Sequence, residues 1–355
     1  MKSTRKDKWS MGAQANSRVQ WVDAMKLFAC VLVVLGHLYM SFMAAGWISE
    51  SSIYYCLPIQ TVYTFHVPLF FVCSGFLYQR KRTEYGIQAQ VTSIKEKAVS
   101  LGVPYVVFTS ITLGLKTLFS DVVNSQATPF LQTLFFEPIA PYWYLYTLFL
   151  LFCVIPRQRT QTSLVRLFAI CFIFKTVYVF VPLSWSVPDA VGKVLTNAVW
   201  FAWGMLLSDQ SVRERFLKIR AAIIVIALAI VLSMLVYSKP DTSKVTQFFI
   251  ASLYVYALTS VFVLLTGPGV GKWAASLSKY FLPVYVLHTI AAAGIRSVAI
   301  RLGIVGLPAH IILGVLASFI IPVVVYEIAC RRWWLLFWFE PKNALRLRDM
   351  EKTHV

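Results

Sequence analysis

Ten runs of roughly 20 predominantly apolar residues follow one another along this chain, at 24–45, 57–78, 98–119, 141–156, 164–183, 191–208, 220–237, 246–266, 280–298 and 307–330. The hydrocarbon core of a bilayer offers no water to backbone N–H and C=O groups, so a segment of this length crosses it as an α-helix. A membrane β-barrel would need short strands with period-two alternation, and these runs show none. The expected fold is therefore all-α: a polytopic transmembrane helical bundle of about ten spans with no soluble domain attached. The fourth run is short, and Arg296 falls near the end of the ninth. Of the 355 residues 58% are hydrophobic and only 14% charged, with a mean hydropathy of +0.69. A water-soluble domain could not hide that much apolar surface.

The net charge of +18 would suggest nucleic acid in a soluble protein, but its distribution reads as a topology signal. With the N-terminus placed in the cytoplasm, 25 of the 33 Lys and Arg residues fall in the tails and in alternate loops. The loops at 46–56 and 120–140 hold Glu50, Asp121 and Glu137 but no basic residue. Both termini are thus expected to be cytoplasmic, with no nucleic-acid partner. The division is a cytoplasmic tail at 1–23, a transmembrane domain at 24–330, and an interfacial or cytoplasmic tail at 331–355. The last begins Arg331-Arg332-Trp333-Trp334, a pairing suited to the headgroup layer, and reads as a short interfacial helix. No cleavable secretion signal is expected, because the first apolar run is long and lacks a small-residue cleavage site. Gly267-Pro-Gly-Val-Gly271 reads as a loop. The six cysteines lie in or beside apolar runs without metal-ligand spacing, so they read as small buried hydrophobes and no metal is expected.

Against this background, histidines inside apolar runs stand out, because titratable groups in a bilayer are costly and usually functional. His37 lies eleven residues after Lys26, which puts the two about 20° apart around a helix and roughly 16 Å apart along it. Lys26 then sits at the cytoplasmic surface and His37 near the midplane. His66, entering from the other side, lies about 14 Å deep at nearly the same level. The short 46–56 connection makes these helices antiparallel neighbours, so the two imidazoles are expected to face one another, with Pro68 able to bend the second helix. A plainer account, hydrogen bonds between helices, remains open for each histidine.

The same residues carry a family likeness. Trp21-Val22-Asp23, Lys26 with His37, Phe65-His66-Val67-Pro68-Leu69-Phe70-Phe71 and Ser74-Gly75-Phe76 resemble the hallmarks of the membrane-bound acyltransferase 3 family, including its fucose 4-O-acetylase-like members. Val103-Pro104-Tyr105, Pro141-Tyr142-Trp143-Tyr144-Leu145 and Leu282-Pro283-Val284-Tyr285-Val286-Leu287-His288 are similar to its later landmarks. One departure is Ser100, where a basic residue often stands four positions before the Pro-Tyr pair; Lys95 or Lys97 are possible substitutes. A periplasmic hydrolase-like domain carried by some members is not found in this sequence, so acceptor delivery is expected to depend on the membrane core or a separate protein.

The resemblance implies an integral-membrane O-acyltransferase of the bacterial cytoplasmic membrane. It would move an acyl group, commonly acetyl, from cytoplasmic acyl-CoA to a hydroxyl of a cell-surface glycan or its lipid-linked precursor. His37 is the expected catalytic base or site of a transient acyl-imidazole, and His66 its orienter, proton relay or oxyanion stabiliser. Lys26, held by Asp23 one turn earlier, would attract CoA phosphates or position the thioester, and Arg80, Lys81 and Arg82 could bind them too. Topology alone also explains that basic triplet. Trp143, Tyr146, Tyr285, His288 and Ser74 are candidate substrate contacts, against alternatives as interface belt or packing residues. Lys175, inside the fifth run, should face the bundle or a wet cavity; Glu327 should meet a cytoplasmic-side cation. A different class also fits ten spans with buried Lys and His: a transporter or flippase of glycolipid intermediates. Against it, no inverted repeat is visible.

Overall fold

The computed structural model describes residues 19–80, 86–119, 129–181, 187–238 and 242–353. Each of the ten apolar runs falls on a helix: α1 (Gln20–Ala44), α2 (Ile53–Arg80), α3 (Ile87–Leu118), α5 (Trp143–Val154), α6 (Gln161–Phe180), α7 (Asp189–Leu206), α9 (Ile219–Val236), α10 (Lys244–Leu265), α12 (Phe281–Arg301) and α13 (Leu307–Ala329). Shorter helices fill the connections: α4 (Phe130–Phe135), α8 (Gln210–Phe216) and α11 (Pro268–Leu277), with α14 (Trp333–Leu336) and α15 (Pro341–Thr353) following the last long helix. No strand occurs among the described residues. Eight segments are long and apolar enough to cross a membrane, α11 and α12 counting as one. The short fourth run gives the 12-residue α5, and α7 reaches that standard only together with α8, which departs from it at 103°.

Two corrections concern the connections. The Gly-rich 267–271 segment is not a loop: Pro268 starts α11 at a first-turn position that needs no N–H. Gly271 then lets Gln20 of α1 press against the helix, where a Cβ would meet the Gln20 Cγ at 2.8 Å. The expected single helix after residue 330 is two, α14 and α15. Lys342 on α15 pairs with Glu96 on α3 at 3.0 Å, which ties this segment back to the bundle.

The core is organised around α1, which touches α2, α10, α11, α12 and α13, and around the crossing of α2 with α7. That crossing is set by two glycines. A Cβ on Gly75 would collide with the Phe201 carbonyl oxygen, and one on Gly204 with that of Val72. Lipid tails are as apolar as leucine, so association in a bilayer relies on such close backbone approach.

One end of the bundle is pinned by polar side chains. The fully buried Gln79 donates to the Gln158 carbonyl at 2.6 Å and accepts from its N–H at 3.0 Å. Tyr78 donates to Gln90, and Gln90 to the Phe152 carbonyl. At the same end Glu327 accepts from Lys279 at 2.7 Å and from the Tyr280 hydroxyl at 2.6 Å, the cation contact expected of it. Ser243 caps α10, and Thr160 with Ser163 closes a capping box on α6.

Candidate functional site

Two-thirds of the way along α1, Gly36 has a steric role. An added Cβ would lie 2.8 Å from the Tyr63 ring, so the glycine admits that ring between α1 and α2. Tyr63 stands edge-on to His66, with ring centroids 4.7 Å apart, and edge-on to His37 at 6.1 Å. The two histidines expected to face each other thus have a tyrosine between them. The imidazole that approaches His37 is His288 of α12, at 5.2 Å. Tyr63 was not among the residues singled out by sequence. Its signal was present but weak: it sits three residues before His66, hence on the same helix face.

Hydrogen bonding distinguishes the three imidazoles. His66 is buried and its Nδ1 lies 2.7 Å from the Val62 carbonyl. A carbonyl only accepts, so Nδ1 carries the proton and neutral His66 keeps its lone pair on Nε2. His288, 1% exposed, does the same, with Nδ1 at 3.0 Å from Val284 O and 2.9 Å from Tyr285 O. Its Nε2 is buried without a partner among the described residues, as is the Tyr63 hydroxyl. Buried polar atoms are rarely left unsatisfied, and exceptions call for a functional reading or a missing partner. His37 is half-buried and makes no hydrogen bond among the described residues, so both ring nitrogens are open to a ligand.

His37, Tyr63 and His66, but not His288, border a cavity of about 480 Å³, within the range of small-molecule sites. His37, Tyr63, His66 and Pro68 form its deep wall. From there it runs toward the bundle end opposite Lys26, past Trp143, Tyr285, Asn197 and Trp200 to Tyr178, Lys175, Gln247 and Lys244. Lys175 does face this cavity, its ammonium 5.4 Å from the centre of the Phe248 ring. Trp143 lines the mouth with Lys193 over its ring at 5.6 Å. Tyr285 lines the wall and donates its hydroxyl to the Pro141 carbonyl, which follows the cis Ala140–Pro141 bond.

Other expected site residues lie elsewhere. Tyr146 is turned away, its hydroxyl donated to the Phe135 carbonyl at 2.9 Å and its ring against Tyr105. Ser74 hydrogen-bonds the Tyr144 hydroxyl at 3.0 Å and does not border the cavity. Lys26 is half-buried and Asp23 buried, near the start of α1, where Cys73 approaches the Val22 carbonyl. Neither borders the cavity. Arg80 ends α2, whereas Lys81 and Arg82 fall outside the described residues. Among the described residues no group of His, Cys, Asp and Glu could hold a metal ion.

No curated protein and no solved structure matches the chain. A family model described as an acyltransferase domain, Acyl_transf_3, matches residues 19–327.

Proposed function

Since the chain belongs to the acyltransferase 3 family, and is a multi-pass helical membrane protein, we propose that it transfers an acyl group from acyl-CoA to a hydroxyl of a surface glycan or its lipid-linked precursor, with His37 as the base. The observation that carries this reading is His37 itself: an imidazole that lines a cavity and makes no hydrogen bond among the described residues, beside two buried polar atoms that have no partner among them either. On this reading the protein resides in a bacterial cytoplasmic membrane, with residues 1–23 and 331–355 on the inner side and 24–330 as the catalytic domain. The basic loops support that orientation.

The chemistry follows from what each group can do. A hydroxyl is a poor nucleophile until it loses its proton, and neutral imidazole is suited to take it near neutral pH. His37 removes the acceptor proton as the hydroxyl oxygen bonds to the thioester carbonyl carbon. The tetrahedral oxyanion collapses, the C–S bond breaks, and the CoA thiolate takes the proton from His37. Tyr63 has an O–H to donate to the oxyanion, and such donors are worth about 10²–10³-fold in rate. His288 offers only a lone pair at Nε2, which can accept a ring N–H of His37 and fix the tautomer of the base. His66 is close to Tyr63 and supplies a relay or orienting contact. If His37 instead takes the acyl group first, the same neighbours serve both half-reactions.

The cavity extends toward the end away from Lys26, so on this reading the donor would arrive from the Lys26 side and the acceptor through the cavity. Lys26, positioned by Asp23, and Arg80, Lys81 and Arg82 would meet the CoA phosphates. Trp143 and Tyr285 are placed for the acceptor sugar; Tyr146 and Ser74 support their neighbours instead. The test is mass spectrometry of surface glycans from cells carrying the gene, lacking it, or carrying His37→Ala at matched protein level. The reading predicts an acyl mass lost in the last two. An unchanged glycan in His37→Ala cells would end the base assignment.

A further inference from the structure

Lys175 and Lys244 come from different helices and meet at the outer reach of the cavity. Their placement is reciprocal. The ammonium of Lys175 on α6 lies over Phe248 of α10 at 5.4 Å, and that of Lys244 on α10 lies over Tyr178 of α6 at 5.8 Å. The two cations therefore share one seam and repel each other across it. Among the described residues neither pairs with a carboxylate, whereas the neighbouring Lys193 is neutralised by Asp189. Lys175 stands five residues before the end of α6, in a helix long and apolar enough to span a bilayer. A charge carried into the hydrocarbon by such a helix is costly unless it is paired or wetted. Two like charges with no counter-ion among the described residues, in a ligand-sized cavity, make a place for an anion from outside the protein.

We infer that Lys175 and Lys244 form an anion subsite which recognises a phosphate or carboxylate group carried by the acceptor. The Asn197 and Gln247 side chains line the same stretch of cavity. Trp143 and Trp200 supply apolar walls for the ring that carries the anion. The inference rests on the acyl-transfer reading in one respect, that the ligand is the acceptor rather than the donor. It narrows the acceptor to two sources of one chemistry: the diphosphate of a lipid-linked sugar, or the carboxylate of an acidic sugar.

The experiment uses the full-length protein in nanodiscs of zwitterionic lipid. Binding of inorganic pyrophosphate, glucuronate and adenosine 3′,5′-bisphosphate is measured for wild type, Lys175→Gln, Lys244→Gln, the double variant, Lys175→Arg and Lys193→Gln. Pyrophosphate or glucuronate should bind wild type, Lys175→Arg and Lys193→Gln alike, and whichever binds more tightly identifies the source. Lys175→Gln and Lys244→Gln should each bind about tenfold more weakly, the effect of one charged hydrogen bond, and the double variant more weakly still. Lys175→Gln should unfold at or above the wild-type temperature, since it removes an uncompensated charge from an apolar helix; this separates a lost ligand contact from a damaged fold. Binding by wild type of neither pyrophosphate nor glucuronate overturns the proposal, as does equal binding by the double variant. Preferential binding of adenosine 3′,5′-bisphosphate at the two lysines overturns it too, because the site would then hold the nucleotide of CoA. Cleavage of acyl-CoA by the double variant is read in parallel. Retained cleavage with lost anion binding in the double variant supports an acceptor subsite apart from the donor; cleavage by a wild type that binds neither anion leaves the acyl-transfer reading standing alone, and no cleavage by wild type counts against that reading and not against the anion site.

Discussion

The α2–α7 crossing gives the firmest quantitative expectation. In Gly75→Ala the new methyl group would lie 2.8 Å from the Phe201 carbonyl carbon and 3.2 Å from the Met205 nitrogen, against ordinary contacts of 3.4 Å or more. Relieving the first of these takes about 0.6 Å, and the Phe201 carbonyl oxygen lies closer still, so the helices must separate by more than that. The obstacle is backbone, which cannot rotate aside as a side chain does. Overpacking of this kind costs about 1–3 kcal/mol. Both helices also carry cavity walls, with Tyr63, His66 and Pro68 on α2 and Asn197 and Trp200 on α7. A 1 Å displacement in an active site can cost about 10²-fold, so a loss of about tenfold in turnover is expected here. Buried free cysteines make the assay direct: Cys56 and Cys73 on α2 and Cys30 on α1 become reactive to a thiol dye only on unfolding. Gly75→Ala should label several degrees below wild type. Gly204→Ala should do likewise, and the double variant should fall short of the summed shifts, because one separation relieves both clashes. Wild-type melting and turnover in Gly75→Ala would refute the account of the crossing.

Other expectations follow from single contacts. His288→Phe and Tyr63→Phe each remove a buried polar atom without a partner, so melting temperature should hold or rise while turnover falls about 10-fold or more; a fall in both together would make the two residues structural. Gly36→Ala drives a Cβ into the Tyr63 ring, a side chain that can move, so turnover should drop while the melting temperature changes little. Gln79→Leu leaves the Gln158 N–H and carbonyl unpaired, and should lower stability by about 1–3 kcal/mol with the site intact. Equal melting of Gln79→Leu and wild type would show that this clamp is dispensable.

The helices were legible because apolar length is a property of the sequence read one segment at a time. The Lys26–His37 spacing was readable for the same reason, since both lie on one helix. What could not be read is what neighbouring helices do to one another. The expected pairing of His37 with His66 came from matched depths, but depth says nothing about rotation about the helix axis. That rotation is set by Gly36 admitting Tyr63, and by α12 bringing His288 against α1. That Lys175 faces the bundle or a wet cavity could be expected from its desolvation cost alone, whereas its companion Lys244 lies 69 residues further on and needed the fold. Tyr146 misled for a related reason: an aromatic at the mouth of a span reads as a sugar platform until its hydroxyl is seen bonded to the Phe135 carbonyl. The Gly267–Gly271 segment was taken for a loop on its glycines, although Pro268 stands where a helix begins.

The most direct test of the central claim follows acyl-CoA cleavage and acyl transfer by the purified protein, wild type against His37→Ala and His37→Gln, each shown to melt as wild type does. If His37 is the base at the floor of the cavity, both variants lose at least about 10²-fold in transfer. Transfer at the wild-type rate by either folded variant would contradict it.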